Sequence, residues 1–286
     1  MTALTRVTDV VAFHGEGPFW DEERERLLSV DMLAGAVVEL GADGEPVRHE
    51  YGGVAAVLRR RLDGGLVLAR EHGLQRLDDE LRPVGDERHA LDDPAIRMNE
   101  GGCDPQGRLY IGTMAYDVTT GAGTLWRFDA EGGMAAALTG VTISNGLQWS
   151  ADGATAFYSD TPTGRISRYP FDGATGAFGD RSTVVSFADG EGQSDGMAID
   201  EEDGLWVAFW GGGAVRRYDP DGTLTEVVEL PCRNVTSCTF GGPDLRTLYI
   251  TTSRDGLPEG EVEPEAGSIF AVEPGVTGAH PHRSAV

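Results

Sequence analysis

Lysine is absent from this chain: all 23 basic side chains are arginine, set against 47 acidic ones, for a formal charge of −24. Without lysine there is no Schiff-base or lysine-nucleophile mechanism. A surface this acidic repels phosphate backbones and anionic lipid, so neither nucleic acid nor a membrane is expected as a partner, although the acidity can equally serve solubility alone. Cysteine is scarce as well. Cys103, Cys232 and Cys238 form an odd set without metal-ligand spacing, which predicts free thiols and a cytoplasmic location. No apolar run approaches bilayer-spanning length. Residues 1–11 lack the basic and apolar layout of a signal peptide. No segment shows a long helical period capped at both ends, and no Pro-rich, Ser-rich or charged linker divides the chain.

What the chain has instead is a repeat. A short turn followed by an apolar strand recurs at residues 25–31, 64–69, 107–112, 154–160, 203–208 and 246–251. The copies lie roughly 40–50 residues apart, the size of a propeller blade. Alternating apolar and polar segments follow most of them, at 35–40, 124–129, 165–169 and 214–219, as in half-buried antiparallel strands. Asp43-Gly44, Asp63-Gly64, Asp152-Gly153 and Asp221-Gly222 supply turns that tolerate positive φ. Together these predict an all-β fold: one six-bladed β-propeller domain over residues 1–286, its first residues completing the last blade.

Four stretches carry a polar, metal-friendly residue at one place in this repeat: Glu16-Gly17-Pro18-Phe19-Trp20-Asp21, Asn99-Glu100-Gly101-Gly102-Cys103-Asp104, Asn145-Gly146-Leu147-Gln148-Trp149-Ser150 and Asp195-Gly196-Met197-Ala198-Ile199-Asp200. The innermost strand of each blade lines the central channel, so equivalent residues form a ring about its axis. Blades two and six place Val54-Ala55-Ala56 and Val235-Thr236-Ser237 there, leaving the ring polar on one arc only. Asn-Gly and Asp-Gly are ordinary turn signals when single. Their recurrence at one register, together with Glu-Gly, points to a cation site in the central channel. Two carboxylates and amide oxygens suit a hard divalent ion, Ca²⁺ or Mg²⁺, ahead of Zn²⁺ or Mn²⁺.

These residues resemble the SMP-30/gluconolactonase/regucalcin-like (LRE) six-bladed propellers over nearly the whole chain. Gly15-Glu16-Gly17-Pro18-Phe19-Trp20 looks like that family's opening metal-ligand motif, and Arg97-Met98-Asn99-Glu100-Gly101 its central segment. Ile143-Ser144-Asn145-Gly146-Leu147 and Ser194-Asp195-Gly196-Met197 match two later site motifs, and residues 236–252 the final blade. The resemblance implies one divalent metal, Ca²⁺ first, held by Glu16, Asn145 and Asp195, with Asp195 also the catalytic general base. It implies a substrate pocket of Arg97 and Asn99, with Glu100 beside them, and hydrolysis of a sugar lactone. The small-molecule lactone is then the expected partner of a monomer or weak homodimer.

Two departures stand out. The family's Asn-Asp-Gly reads Asn99-Glu100-Gly101 here, and the loop at residues 118–123 lacks the carboxylate some members use for sugar hydroxyls; Asp117 could replace it only if the loop takes another path. His14, two residues before Glu16, can face the channel as an outer partner of the ligands, a proton shuttle, or a packed side chain at the entrance. His72 is expected near the mouth, and His280-Pro281-His282-Arg283 is expected to be a disordered end. No nucleophile elbow supports Ser-His-Asp catalysis. Alternatives on the same site are other ester or phosphotriester hydrolysis, a lactone-forming or isomerising step, and a non-enzymatic metal-binding scaffold.

Overall fold

A computed structural model describes residues 2–42, 44–188, 190–257 and 263–286. Six antiparallel sheets follow one another along the chain, and their strands add outward in sequence order except in the last, whose outermost strand is the chain's first. This is the expected six-bladed β-propeller. A 3-10 turn at Thr161–Thr163 is the only helical element among the described residues, none of which form a helix long and apolar enough to cross a membrane.

The innermost strands are Gly15–Asp21, Ala55–Arg60, Ile96–Cys103, Ser144–Trp149, Gln193–Ile199 and Val235–Gly241. The six apolar strands read from the sequence are the second strands of the blades, Arg26–Asp31, Leu66–Arg70, Leu109–Ala115, Thr155–Asp160, Leu205–Trp210 and Thr247–Thr252. Thr5–Arg6 pairs with Ile269–Val272, so the first residues do complete the last blade. Gly64, Gly153 and Gly222 have positive φ, as their Asp-Gly turns require. Asp43, of the fourth such pair, lies outside the described residues.

Burial explains the strand pattern. Inner strands are buried on both faces, while an outer strand such as Pro46–Glu50 is largely exposed. The apolar core sits between neighbouring blades. Phe19, Leu28, Val57, Leu68, Met98 and Ile111 pack blades one to three, and Trp206, Val215, Cys238, Phe240 and Ile250 pack blades five and six. Each large side chain so buried contributes roughly 1.5–3 kcal/mol. Cys103, Cys232 and Cys238 are buried free thiols.

The acidic residue that closes several inner strands is part of this framework. Asp200 accepts from the Glu202 and Gly204 N–H groups at 3.0 and 2.8 Å, from Trp206 Nε1 at 2.8 Å and from Arg217 Nε at 2.7 Å. Asp104 caps the equivalent turn through the Gln106 and Arg108 N–H groups and binds the Arg108 guanidinium at 2.7 Å. Asp21 ties two blades, accepting from Arg26 of its own blade and from Arg60 of the next.

The C-terminal segment corrects one expectation. Far from being a disordered end, it runs across one face of the propeller as a strap. Gly278 bridges to Asp200, Ala279 N donates to Ile199 O at 3.1 Å, and Ser284 bridges to Arg61 in blade two. His280 Nδ1 sits 2.6 Å from Glu22 Oε1, and Arg61 Nε donates to Val286 O at 2.8 Å. Backbone pairing and the buried side chains of Ser284 and Val286 hold a segment whose polar composition hid it.

Candidate metal centre and channel

All six innermost strands break register at the same level. The irregularities fall between Glu16 and Phe19, Ala55 and Val57, Met98 and Gly101, Asn145 and Leu147, Ser194 and Met197, and Val235 and Ser237. In the third blade Asn99 and Glu100 oppose the single residue Gly112, a β-bulge, which re-aims side chains at the axis. The Asn-Gly and Asp-Gly pairs of the ring are therefore bulges and not turns. Their glycines answer a close approach: a Cβ on Gly146 would lie 2.4 Å from Met197 Cε, and one on Gly196 would lie 2.1 Å from Ser237 Oγ.

Hydrogen bonds and mutual electrostatics bring the ring residues together. Asn99 Nδ2 donates to Asn145 Oδ1 at 3.0 Å and to Ser144 O at 2.8 Å. Asn145 Nδ2 donates to Thr161 Oγ1 at 2.8 Å, and the Thr161 hydroxyl in turn donates to Ser194 O at 2.8 Å. Glu16, Asn99, Asn145 and Asp195 are each at most 6% exposed. Burial lifts the Glu16 carboxyl to about 7, against a Gly17 N–H bond and the Arg97 charge that pull it down. Burial also raises Asp195 well above the usual carboxylate range, reinforced by the charges of Glu16 and Glu100.

Such a site fits a cation. Carboxyls crowded in low dielectric disfavour one another's charge, and a divalent ion relieves both the burial and the repulsion. The donors are all oxygen, the choice of a hard ion. No group of three or more His, Cys, Asp or Glu side chains with metal-holding geometry occurs among the described residues, so two carboxylates need an amide oxygen to complete a protein ligand set.

Arg97 stands beside the ring. Its Nη1 donates to Asn99 Oδ1 at 2.6 Å and to Met98 O at 3.1 Å, and its guanidinium lies 5.9 Å from the Tyr116 ring centroid. No carboxylate pairs with it directly among the described residues, so it is not a structural ion pair; burial lowers its pKa. His14 is buried: its Nδ1 meets Ser253 Oγ at 2.8 Å and its ring meets Trp210 edge-on at 5.7 Å. Burial depresses His14 to about 4, leaving it neutral. The His72 ring is half-buried, with Nε2 2.9 Å from Ile96 O.

Two residues near the mouth escaped the sequence reading. Thr161 orients Asn145, and Glu71 in blade two accepts from the Tyr116 hydroxyl at 2.7 Å. Asp117 stays in its own loop, accepting from Thr119 N at 2.9 Å. Neither Thr161 nor Glu71 falls in the repeating register, although a Thr directly after the second-strand Asp160 was a visible signal.

Glu100 lines a different space. Beyond the ring, the downstream halves of the inner strands and the C-terminal strap enclose a chamber of about 540 Å³. Its walls include Arg59, Glu100, Gln148, Trp149, Ser237 and His282, and none of Glu16, Arg97, Asn99, Asn145 or Asp195. Burial, with the Glu16 charge, lifts the Glu100 carboxyl to about 8.

The sequence matches the family described as SMP-30/Gluconolactonase/LRE-like region over residues 14–254. It is 36% identical to pentonolactonase XacC of Haloferax volcanii, covering 99% of this chain and 98% of that one. It is 36% identical to 6-deoxy-6-sulfogluconolactonase of Pseudomonas putida, with 92% of each chain covered. Among solved structures, the calcium-binding protein regucalcin of Agrobacterium tumefaciens superposes with a TM-score of 0.89 at 29% identity, over 98% of this chain and 95% of that one.

Proposed function

The chain belongs to the SMP-30/gluconolactonase/LRE-like family, and on that premise we propose that it is a divalent-metal-dependent lactonase, opening a five- or six-membered sugar lactone to its hydroxy acid. The observation that carries this reading is the convergence of two buried carboxylates from blades one and five with an amide from blade four, beside an arginine that has no carboxylate partner among the described residues. Glu16, Asn145 and Asp195 would hold the cation, Ca²⁺ first and Mg²⁺, Mn²⁺ or Zn²⁺ as alternatives. A divalent ion held there polarises a carbonyl and acidifies water.

The chain's own residues do the rest. Asp195 takes a proton from the attacking water, a role typically contributing ~10²–10⁴-fold. The water oxygen bonds to the carbonyl carbon, the ring C–O bond breaks, and the ring oxygen leaves as a hydroxyl carrying that proton. Arg97 offers planar donors to the lactone oxygens or the forming carboxylate, and its bond to Asn99 holds the amide in place. Glu71 and Tyr116 supply polar partners for sugar hydroxyls at the mouth.

The test is acid release, followed with a pH indicator, from sugar lactones of both ring sizes. Chelated protein is compared with protein given Ca²⁺, Mg²⁺, Mn²⁺ or Zn²⁺. Metal-restored opening of one lactone supports the reading and names ion and substrate together. Metal binding without turnover across the panel would move the assignment to another reaction or to a scaffold.

A further inference from the structure

The chamber beyond the ring has a polar lining that the lactonase reading does not use. Arg59 stands out in it. Its guanidinium donates to two backbone carbonyls, Leu58 O and Gly101 O, both at 2.7 Å, and lies 5.8 Å from the centroid of the Phe19 ring. No ion pair to Arg59 occurs among the described residues, whereas Arg26, Arg60, Arg108 and Arg217 all hold carboxylates. The Glu100 carboxyl acts on this guanidinium through space but makes no ion pair with it among the described residues, so Arg59 lacks a directly paired anion.

Neighbouring groups match hydroxyls. Gln148 donates its amide N–H to Met197 O at 2.7 Å, leaving the side-chain carbonyl oxygen as an acceptor. Ser237 adds a hydroxyl to the wall. Glu100 Oε2 and Trp149 Nε1 have no hydrogen-bond partner among the described residues, and both residues line this chamber. The volume of about 540 Å³ fits a six-carbon molecule with room for water.

We propose that this chamber is a second ligand site, for a small polyhydroxylated carboxylate whose acid group pairs with Arg59 and whose hydroxyls meet Gln148 and Ser237. Such a molecule is the hydroxy acid that lactone opening yields. The inference rests on the lactonase reading for the origin of the ligand, and on the chamber alone for its recognition.

The experiment is calorimetric titration of D-gluconate into the full chain after chelation, beside the Asp195→Ala variant, in which the ring is disabled. Binding at one site in both proteins is expected, weakened at least about tenfold in Arg59→Met. Sorbitol, which lacks the carboxylate, and hexanoate, which lacks the hydroxyls, should each bind at least about tenfold more weakly to the unmodified chain. These two comparisons decide the matter should Arg59→Met fail to fold. Absence of gluconate binding overturns the inference, as does binding lost in Asp195→Ala yet untouched in Arg59→Met. Equal affinity for gluconate, sorbitol and hexanoate also overturns it. Lactone opening without gluconate binding removes this inference alone; gluconate binding without any lactone opening removes the lactonase reading and leaves the site.

Discussion

Asn145 Nδ2 donates to Thr161 Oγ1 at 2.8 Å, and that bond fixes which end of the amide faces the ring. With its nitrogen engaged on the blade, Asn145 presents Oδ1 to Asn99, from which it accepts at 3.0 Å. Thr161 is itself fixed by donating to Ser194 O, next to Asp195, so one hydroxyl aligns two of the proposed ligands.

Thr161→Val should therefore weaken metal binding without unfolding the chain. Partners of metal ligands typically contribute 10–100-fold to affinity, and a loss of about that size is expected, with Thr161→Ser restoring most of it. Calcium titration of the two variants checks this. Equal affinity in the valine variant and the unmodified chain would remove Asn145 from the ligand set.

The metal-free protein should lose stability as pH rises through neutrality. Glu16, lifted from 4.5 to about 7, and Glu100, lifted from 4.5 to about 8, bind protons more tightly folded than unfolded. Their contribution is fully present below pH 4.5 and is lost as pH climbs through those folded values. His14 acts oppositely: lowered from 6.5 to about 4, it favours the folded state more as pH rises between those limits. The two trends compete below pH 6.5, so the fall should be clean between about 6.5 and 8. Thermal unfolding across this window, with and without Ca²⁺, tests the point. Added metal and Glu16→Gln should both flatten the slope, and an unchanged slope in Glu16→Gln would refute the assignment to that carboxyl.

Asp21 and Arg60 should matter for stability and not for chemistry. The pair is bidentate, at 2.9 and 2.7 Å, and both side chains are almost fully buried. Removing Asp21 takes a buried partner from both Arg60 and Arg26, which keep Asp79 and Glu39 respectively as close partners, at a cost of about 1–3 kcal/mol. Asp21→Ala should unfold at correspondingly lower urea while turnover per folded molecule stays constant. Loss of turnover in protein shown to be folded would give Asp21 a part in the site.

The difference between Asp21 and Glu16 shows what the sequence could and could not say. Both recur at fixed places in the blades, so the repeat, the all-β fold and the ring residues were legible in it. Recurrence alone did not reveal that the bulge sends Glu16 to the axis while Asp21 closes the strand. The same bulge sets Asn99 in the ring and puts its neighbour Glu100 in the chamber wall, a separation decided by local backbone geometry. Glu71 meets Tyr116 only because blades two and three lie side by side, and the tie from Thr161 to Asn145 depends on how blade four folds back on itself. The C-terminal strap was missed because backbone pairing, and not apolar patterning, holds much of it.

Arg97 and Glu71 should divide the handling of substrate between them. Arg97 has no carboxylate partner among the described residues, so its removal leaves no stranded acid, and Arg97→Met should fold and still bind metal. Loss of a charge-assisted bond to the reacting end of a lactone corresponds to roughly 1.5–3 kcal/mol, or about 10–100-fold in kcat/KM. Because the forming carboxylate carries more charge than the lactone, much of that loss should fall on kcat. Glu71 meets the Tyr116 hydroxyl, near Arg97 and outside the proposed ligand set. Glu71→Gln should raise KM for polyhydroxylated lactones by several-fold and leave kcat and unsubstituted lactones unaffected. The measurement is a paired kinetic comparison of a sugar lactone with δ-valerolactone. Equal losses on both substrates in Glu71→Gln would show that this carboxylate supports the framework and does not read hydroxyls.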